Sequence, residues 1–229
     1  MLLNQNKRFL SKSARERIFE TAVKMFANNE LSSVSAEDIA LEADVNTNAV
    51  IRHFGSKELL YLNVIECIAI MLQSSLISFQ THYYRAKQSF EYTSEEEYRN
   101  FLIFWFEKFI KISVKSILEE IKINNFMHKI VFKEYISPTA GFDVLYNNFL
   151  KQWFDQFDEF IFGISTNKDI YKNRIRTHAL YGQILIFTIG YTIFGTRTGS
   201  KEQNIKNETI DSISDVVLEH TRYIIDGIS

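Results

Sequence analysis

One proline and eight glycines punctuate the 229 residues of this chain. Folds built from many short strands need frequent tight turns, and those turns draw on Gly and Pro for backbone angles that other residues resist. Such scarcity selects long helices. No alternating apolar–polar run is long enough to propose a sheet, and no internal repeat or low-complexity segment is present, so the expected class is all-α with about nine helices. Apolar residues make up 46%, aromatics 14% with 20 Phe and 11 Tyr, and charged residues 24%. That is enough to bury a sizeable core and too apolar for a disordered chain. The length lies near the upper size served by one core, which favours a small domain joined to a larger one.

Cys67 is the single cysteine, so it cannot close an intrachain disulfide, and in its apolar stretch a packing role is expected. With no basic-apolar-small leader opening the sequence, a cytoplasmic setting is expected. The longest apolar run, Leu180 to Gly195, falls short of the ~20 residues of a spanning helix and contains Gln183 and several Thr and Gly. It reads as a buried core helix, with no membrane partner expected. The net charge of −2 decides nothing alone, because a larger acidic domain can dilute a basic nucleic-acid-binding unit. Its distribution says more: Lys7, Arg8, Lys12, Arg15 and Arg17 stand against Glu16, a basic arm running into a helix.

From Ser13, the residues Ile18, Ala22, Met25 and Phe26 recur at steps of three and four. With Phe19 and Val23 widening the stripe, they predict a first helix to about Asn28. Ser35, with Asp38 three residues on, predicts a capping box ahead of a second helix starting at Ala36, whose Ile39, Ala40 and Ala43 share a face. After the polar step at Asp44 and an apolar plug at Val45, Asn46 caps a third short helix that carries Val50 and Phe54 and stops at Gly55. Ser56 caps a fourth, whose Leu59, Leu60, Leu62, Val64, Ile65, Ile68 and Met71 are apolar on more than one side and predict a largely buried helix. Further helices are predicted over about Glu95 to Ile123, Asn125 to Tyr135, Asp143 to Phe162, Asp169 to Thr196 and Glu208 to Ile228. Polar breaks, Pro138, Gly141, Gly163 and the stretch 199–208 divide them.

Residues 35–54 therefore have the makings of a helix-turn-helix: two short helices with a shared apolar side and polar residues exposed at the start of the second. In the major groove only the N-terminal and outward residues of that helix reach base edges, here Asn46, Thr47, Asn48 and Arg52. Asn can bridge adenine and Arg can bridge guanine. His53, Lys57 and the arm residues Lys7, Arg8 and Lys12 suit phosphate contacts, the amides of Ser56, Lys57 and Glu58 at a helix N-terminus favour an anion, and Ser35 is a further DNA-binding candidate. By pattern alone, an exposed three-helix corner reads equally well.

The string from Arg17 to Leu60, with I-F-x-x-A-x-x-M-F, then V-S-A-E-D-I-A-x-x-A-D-V-N, then H-F-G-S-K-E-L-L, resembles without a gap the N-terminal domain of TetR-family regulators. The resemblance implies binding of double-stranded operator DNA as a homodimer, with helix 3 in the major groove, and a division into a DNA-binding unit (residues 1–55) and a helical ligand-binding and dimerisation unit (56–229). Four positions depart from the family pattern. Glu30 and Asp44 stand where glycines are usual, and Asn48 and Ile51 replace the usual Gly and Tyr of helix 3. That Tyr is a phosphate contact in the family, so Ile51 removes one anchor, and Asn48 replaces a residue that lets the backbone approach DNA closely.

The segments 132–150 and 179–187 look like the ligand domain of the CecR-type subgroup. This implies an all-helical sensor of a small molecule, dimerising through its last two long helices. Most of the Phe and Trp in the middle of the chain read as core. As walls or polar groups of an effector pocket, Phe104, Phe109, His128, Tyr135, Tyr146, Trp153, Tyr181 and Gln183 are the candidates, for a largely apolar or aromatic effector. No Glu-x-x-His pair, His-Glu-x-x-His, glycine-rich phosphate loop or Cys-x-x-Cys is present, and the five histidines have no metal-ligand spacing, so no enzyme, cofactor or metal is expected. The expected function is a ligand-responsive regulator acting by repression. The alternative is a helical small-molecule-binding or adaptor protein that has kept the fold and lost DNA affinity.

Overall fold

The computed structural model describes residues 12–123, 125–166, 168–189, 196–197 and 207–227. Ser13 starts the first helix, α1 (Ala14–Asn28), with a full capping box: its Oγ accepts the Glu16 N–H at 3.2 Å, and the Glu16 carboxylate accepts the Ser13 N–H at 2.7 Å. Ser35 and Asp38 repeat the device at the start of α2 (Ala36–Glu42). Asn46 accepts the Ala49 N–H at 2.8 Å to start α3 (Thr47–Phe54). Each cap satisfies amides that a helix start leaves without a partner inside the helix. The apolar faces of the three helices meet through Ile18, Ala22, Phe26, Ile39, Ala40, Val50 and Phe54, all buried.

Ser56 caps α4 (Lys57–Ser89), a rod of 33 residues, or about 50 Å. Its length and apolar composition would suffice to cross a bilayer, yet Leu60, Val64, Ile65, Ile68 and Ala69 are buried within the protein. The expectation that α4 is buried on most sides is corrected. Packing against α1, α3 and the helices that follow covers part of its circumference, leaving Leu59, Ile70 and Ile77 half exposed. Cys67 lies on the uncovered side and is exposed, so its expected packing role is corrected too.

The remaining helices are α5 (Glu95–Ile123), α6 (Asn125–Ile136), α7 (Ala140–Leu145), α8 (Lys151–Ile164), α9 (Ile170–Ile189) and α10 (Asn207–Asp226). α7 runs into α8 through a π-helical turn at Tyr146–Leu150. With these counted as one body, the described residues hold nine α-helical bodies, a 3-10 turn at Leu31–Ser33 and no strand. That body starts earlier than expected because Thr139 caps it, its Oγ accepting the Gly141 N–H at 3.0 Å. The expected extension of α9 to Thr196 falls largely outside the described residues.

Aromatic residues fill the centre of the larger helical part. Phe106 stacks on Phe160 at 5.4 Å, and Phe109 meets Phe157 edge-on at 4.8 Å, in the offset and perpendicular geometries that ring quadrupoles favour. α10 lies along α5 and α9. The Arg222 guanidinium grips the Glu107 carboxylate through two N–H bonds of 2.6 and 3.1 Å.

Candidate nucleic-acid interface

α3 has two faces. Ala49, Val50 and Phe54 are buried against α1, α2 and α4. Asn46, Asn48, Ile51 and Arg52 are exposed, and Thr47 and His53 partly so. The helix therefore turns outward the residues expected to read bases, with Ile51, 52% exposed, among them. Lys7 and Arg8 lie outside the described residues. Lys12 is exposed and pairs with Glu20 at 2.5 Å.

The turn into α3 is held from behind. Asp44 has φ +53°, a left-handed conformation that costs an L side chain least when it is Asn or Asp. Arg17, read from sequence as part of the basic arm, donates Nε–H to the Ala43 carbonyl at 3.1 Å and a terminal N–H to the Asp44 carbonyl at 3.2 Å. Lys57, expected at a phosphate, sits back from the surface and donates to the Leu31 carbonyl at 2.9 Å. One of its three donors thus anchors the loop before α2. Ser35 spends its hydroxyl on Asp38. The Ser35 hydroxyl and N–H hold the Asp38 carboxyl below its ordinary range.

A second feature lies behind this surface. α4 (Ile68, Met71, Leu72), α5 (Ile117), α6 (Met127, His128, Val131, Phe132), the π turn (Phe149, Leu150), α8 (Trp153) and α9 (Tyr181, Leu185) enclose an apolar cavity of about 40 Å³. Of the expected pocket residues, His128, Trp153 and Tyr181 line it. Tyr135 stands behind, its hydroxyl bonded to that of Tyr181, and Phe109 packs on Trp153 at 5.9 Å. Phe104 is half exposed under the Lys108 ammonium, Tyr146 is 40% exposed, and Gln183 faces His220 at 3.1 Å. The fold brings none of these three to the cavity.

α6 lines the cavity with one side and holds the smaller unit with another. Lys133 donates to the Phe26 and Asn29 carbonyls at the end of α1 (3.0 and 2.7 Å), and Lys129 donates to the Asn28 side chain at 3.0 Å. These cations complement the negative end of the α1 dipole. Next to Lys133, Glu134 is 1% exposed. It accepts bonds from the Tyr61 hydroxyl on α4 (2.5 Å), the Thr139 hydroxyl (2.7 Å) and the Thr139 N–H (2.9 Å). Burial and the carboxylate together push the Tyr61 phenol well above its ordinary range. Sequence reading missed Arg17, Tyr61, Lys129, Lys133 and Glu134 as structural ties. The only signal for Glu134 was its place in the segment 132–150, and nothing in the spacing pointed to Tyr61.

Residues 18–64 match the profile of the bacterial regulatory proteins of the tetR family. The chain is 25% identical over 215 residues to the HTH-type transcriptional dual regulator CecR of Shigella flexneri, covering 90% of this chain and 92% of that one. Residues 18–64 thus carry the tetR-family profile, and over nine-tenths of its length the chain is similar to an HTH-type transcriptional regulator. Its fold is similar to that of the fatty acid degradation regulator FadR from Bacillus halodurans (TM-score 0.55, 12% identity, 91% of this chain and 96% of that one). It is also similar to a TetR/AcrR-family regulator from Aquifex aeolicus (TM-score 0.53, 16% identity, 93% and 99%). Among TetR-type sequences, Asp44 departs from the usual glycine at the one non-glycine position of positive φ among the described residues. The departure keeps the turn's backbone and changes only the residue that supplies it.

Proposed function

We propose that this regulator binds a palindromic operator as a homodimer through α3 and releases it when a small apolar or aromatic effector occupies the cavity, acting by repression. The observation that carries this reading is that α4 and α6 form walls of the cavity and also hold α1 and α3 in place. In this reading residues 1–55 form the DNA-binding unit and 56–229 the ligand-binding and dimerisation unit. Exposed Ile175 and Ile186 on α9 and exposed Val216 and Tyr223 on α10 supply an apolar surface for pairing two subunits. The setting is the cytoplasm.

The cavity holds only a few water-sized bodies at about 40 Å³, since one water needs about 10–15 Å³ on the same measure. A larger effector enters only by displacing α4 or α6, so its affinity differs between the DNA-competent arrangement and the displaced one. That difference sets how far it can shift the equilibrium. Two half-sites read about 34–36 Å apart tolerate little displacement of the paired recognition helices.

A shift assay with DNA from upstream of its own gene tests the reading, and a specific complex at low salt is expected from the intact dimer. Its absence would favour an adaptor that has lost DNA affinity. One observation favours that second reading: over the first 65 residues eight basic residues stand against eight acidic ones, with no net positive charge. Arg52→Ala is expected to relax base preference, whereas Lys57→Ala, which frees the loop before α2 from its bond to the Leu31 carbonyl, weakens all sequences alike.

A further inference from the structure

Ile51 is an aliphatic side chain, half exposed, on the outward face of α3. Asn48 lies one turn before it and Arg52 beside it, both exposed. It is not held against the protein: the buried residues of the helix are Ala49, Val50 and Phe54, on the opposite face. When such a face docks in a major groove, everything on it loses water. Asn48 and Arg52 then exchange water for base edges or phosphate oxygens. Ile51 can donate and accept nothing, and set against a base N–H, a carbonyl oxygen or a phosphate it would strip that group of its hydrogen bonds. The major groove offers one apolar group on its base edges, the C5 methyl of thymine.

We infer that Ile51 is a specificity-determining residue that reads the thymine methyl, so that each operator half-site carries a thymine within one or two base pairs of the base read by Asn48. The inference rests on the operator-binding reading and extends it to the chemistry of the sequence bound.

The test uses the full-length dimer. Operators are first selected from a random double-stranded pool, and one thymine per half-site is expected to be invariant. That base is then replaced by deoxyuridine, which pairs identically and lacks only the methyl. Affinity is expected to fall about fourfold per half-site, the value of one buried carbon. Ile51→Ala is expected to bind the thymine and uracil operators equally, and Ile51→Val to keep most of the discrimination. Because Ile51 is half exposed, neither variant threatens folding, which circular dichroism verifies. Indifference of the unaltered protein to deoxyuridine at every selected thymine overturns the inference and leaves operator binding standing, as does an Ile51→Ala loss that is equal on both operators and on random DNA. If the intact dimer selects no sequence, operator binding falls and the inference with it.

Discussion

The Tyr61 hydroxyl on α4 donates to the buried carboxylate of Glu134 on α6 at 2.5 Å. The carboxylate takes its other bonds from Thr139, at the cap of α7. All three groups donate to Glu134, whose two acceptor oxygens take every bond. Space is equally tight. A Cβ on Gly141 would stand 3.0 Å from the carboxylate and 3.1 Å from Ile65.

Removing the phenol oxygen with Tyr61→Phe keeps the ring on Phe26, 5.0 Å away, and deletes one bond to a buried charge. A stability loss of about 1–3 kcal/mol is expected in urea unfolding. Glu134→Gln is expected to lose more, because its N–H₂ meets either the Thr139 N–H, which can only donate, or hydroxyls that must turn round to accept. If the α4–α6 tie helps set the DNA-competent arrangement, operator affinity corrected for folded fraction also falls for Tyr61→Phe.

The turn between α2 and α3 gives a second pair of variants. Asp44→Val puts a β-branched residue at φ +53° and is expected to destabilise by about 1–2 kcal/mol. Asp44→Gly removes the strain and is expected to stabilise by up to about 1 kcal/mol, less whatever glycine adds to the entropy of the unfolded chain. Thermal unfolding of the three proteins side by side checks the order.

Filling the cavity with Val131→Trp is expected to abolish binding of apolar probes while leaving operator binding in place. Of the two tryptophans, Trp153 lines the cavity. Probe titration should therefore quench the fluorescence of the unaltered protein and of Trp105→Phe, but not that of Trp153→Phe.

The caps of α1 and α2 make stability depend on acid. The Ser13 amide and hydroxyl hold Glu16 below its ordinary value of 4.5, and the Ser35 hydroxyl and amide hold Asp38 below 3.8. For a carboxyl whose folded value lies beneath the unfolded one, the stabilisation is present above the unfolded value and lost as pH falls through the folded one. Loss of helix signal is therefore expected to begin below pH 4.5. Ser35→Ala removes one cap, costing about 1 kcal/mol, and flattens the slope below pH 3.8.

The helices were legible because their signals are local. The stripe Ile18, Ala22 and Phe26, the caps Ser35 and Asn46, and the stop at Gly55 each need only a few neighbouring residues, and the structure bears them out. The outward face of α3 followed from the same periodicity. The cavity walls were not legible in that way. Phe104 and Phe109 share one helix and one residue type, and only the packing of α4 and α8 on Phe109 decides that one is half exposed and the other buried. Arg17, Lys133 and Tyr61 escaped notice because their partners lie 27, 107 and 73 residues away. No periodicity reports a partner at such a distance.

The buried side chains of α1 to α3 form one cluster with those of α4 and beyond, running unbroken past Gly55. Glu134 finds all its donors only when α4, α6 and α7 have met. A half-assembled chain forfeits those bonds, each worth about 1–3 kcal/mol at a charged group. That penalty removes partly docked states from the population and makes unfolding cooperative: the recognition helices and the cavity helices are expected to melt in a single transition, at one temperature by every probe.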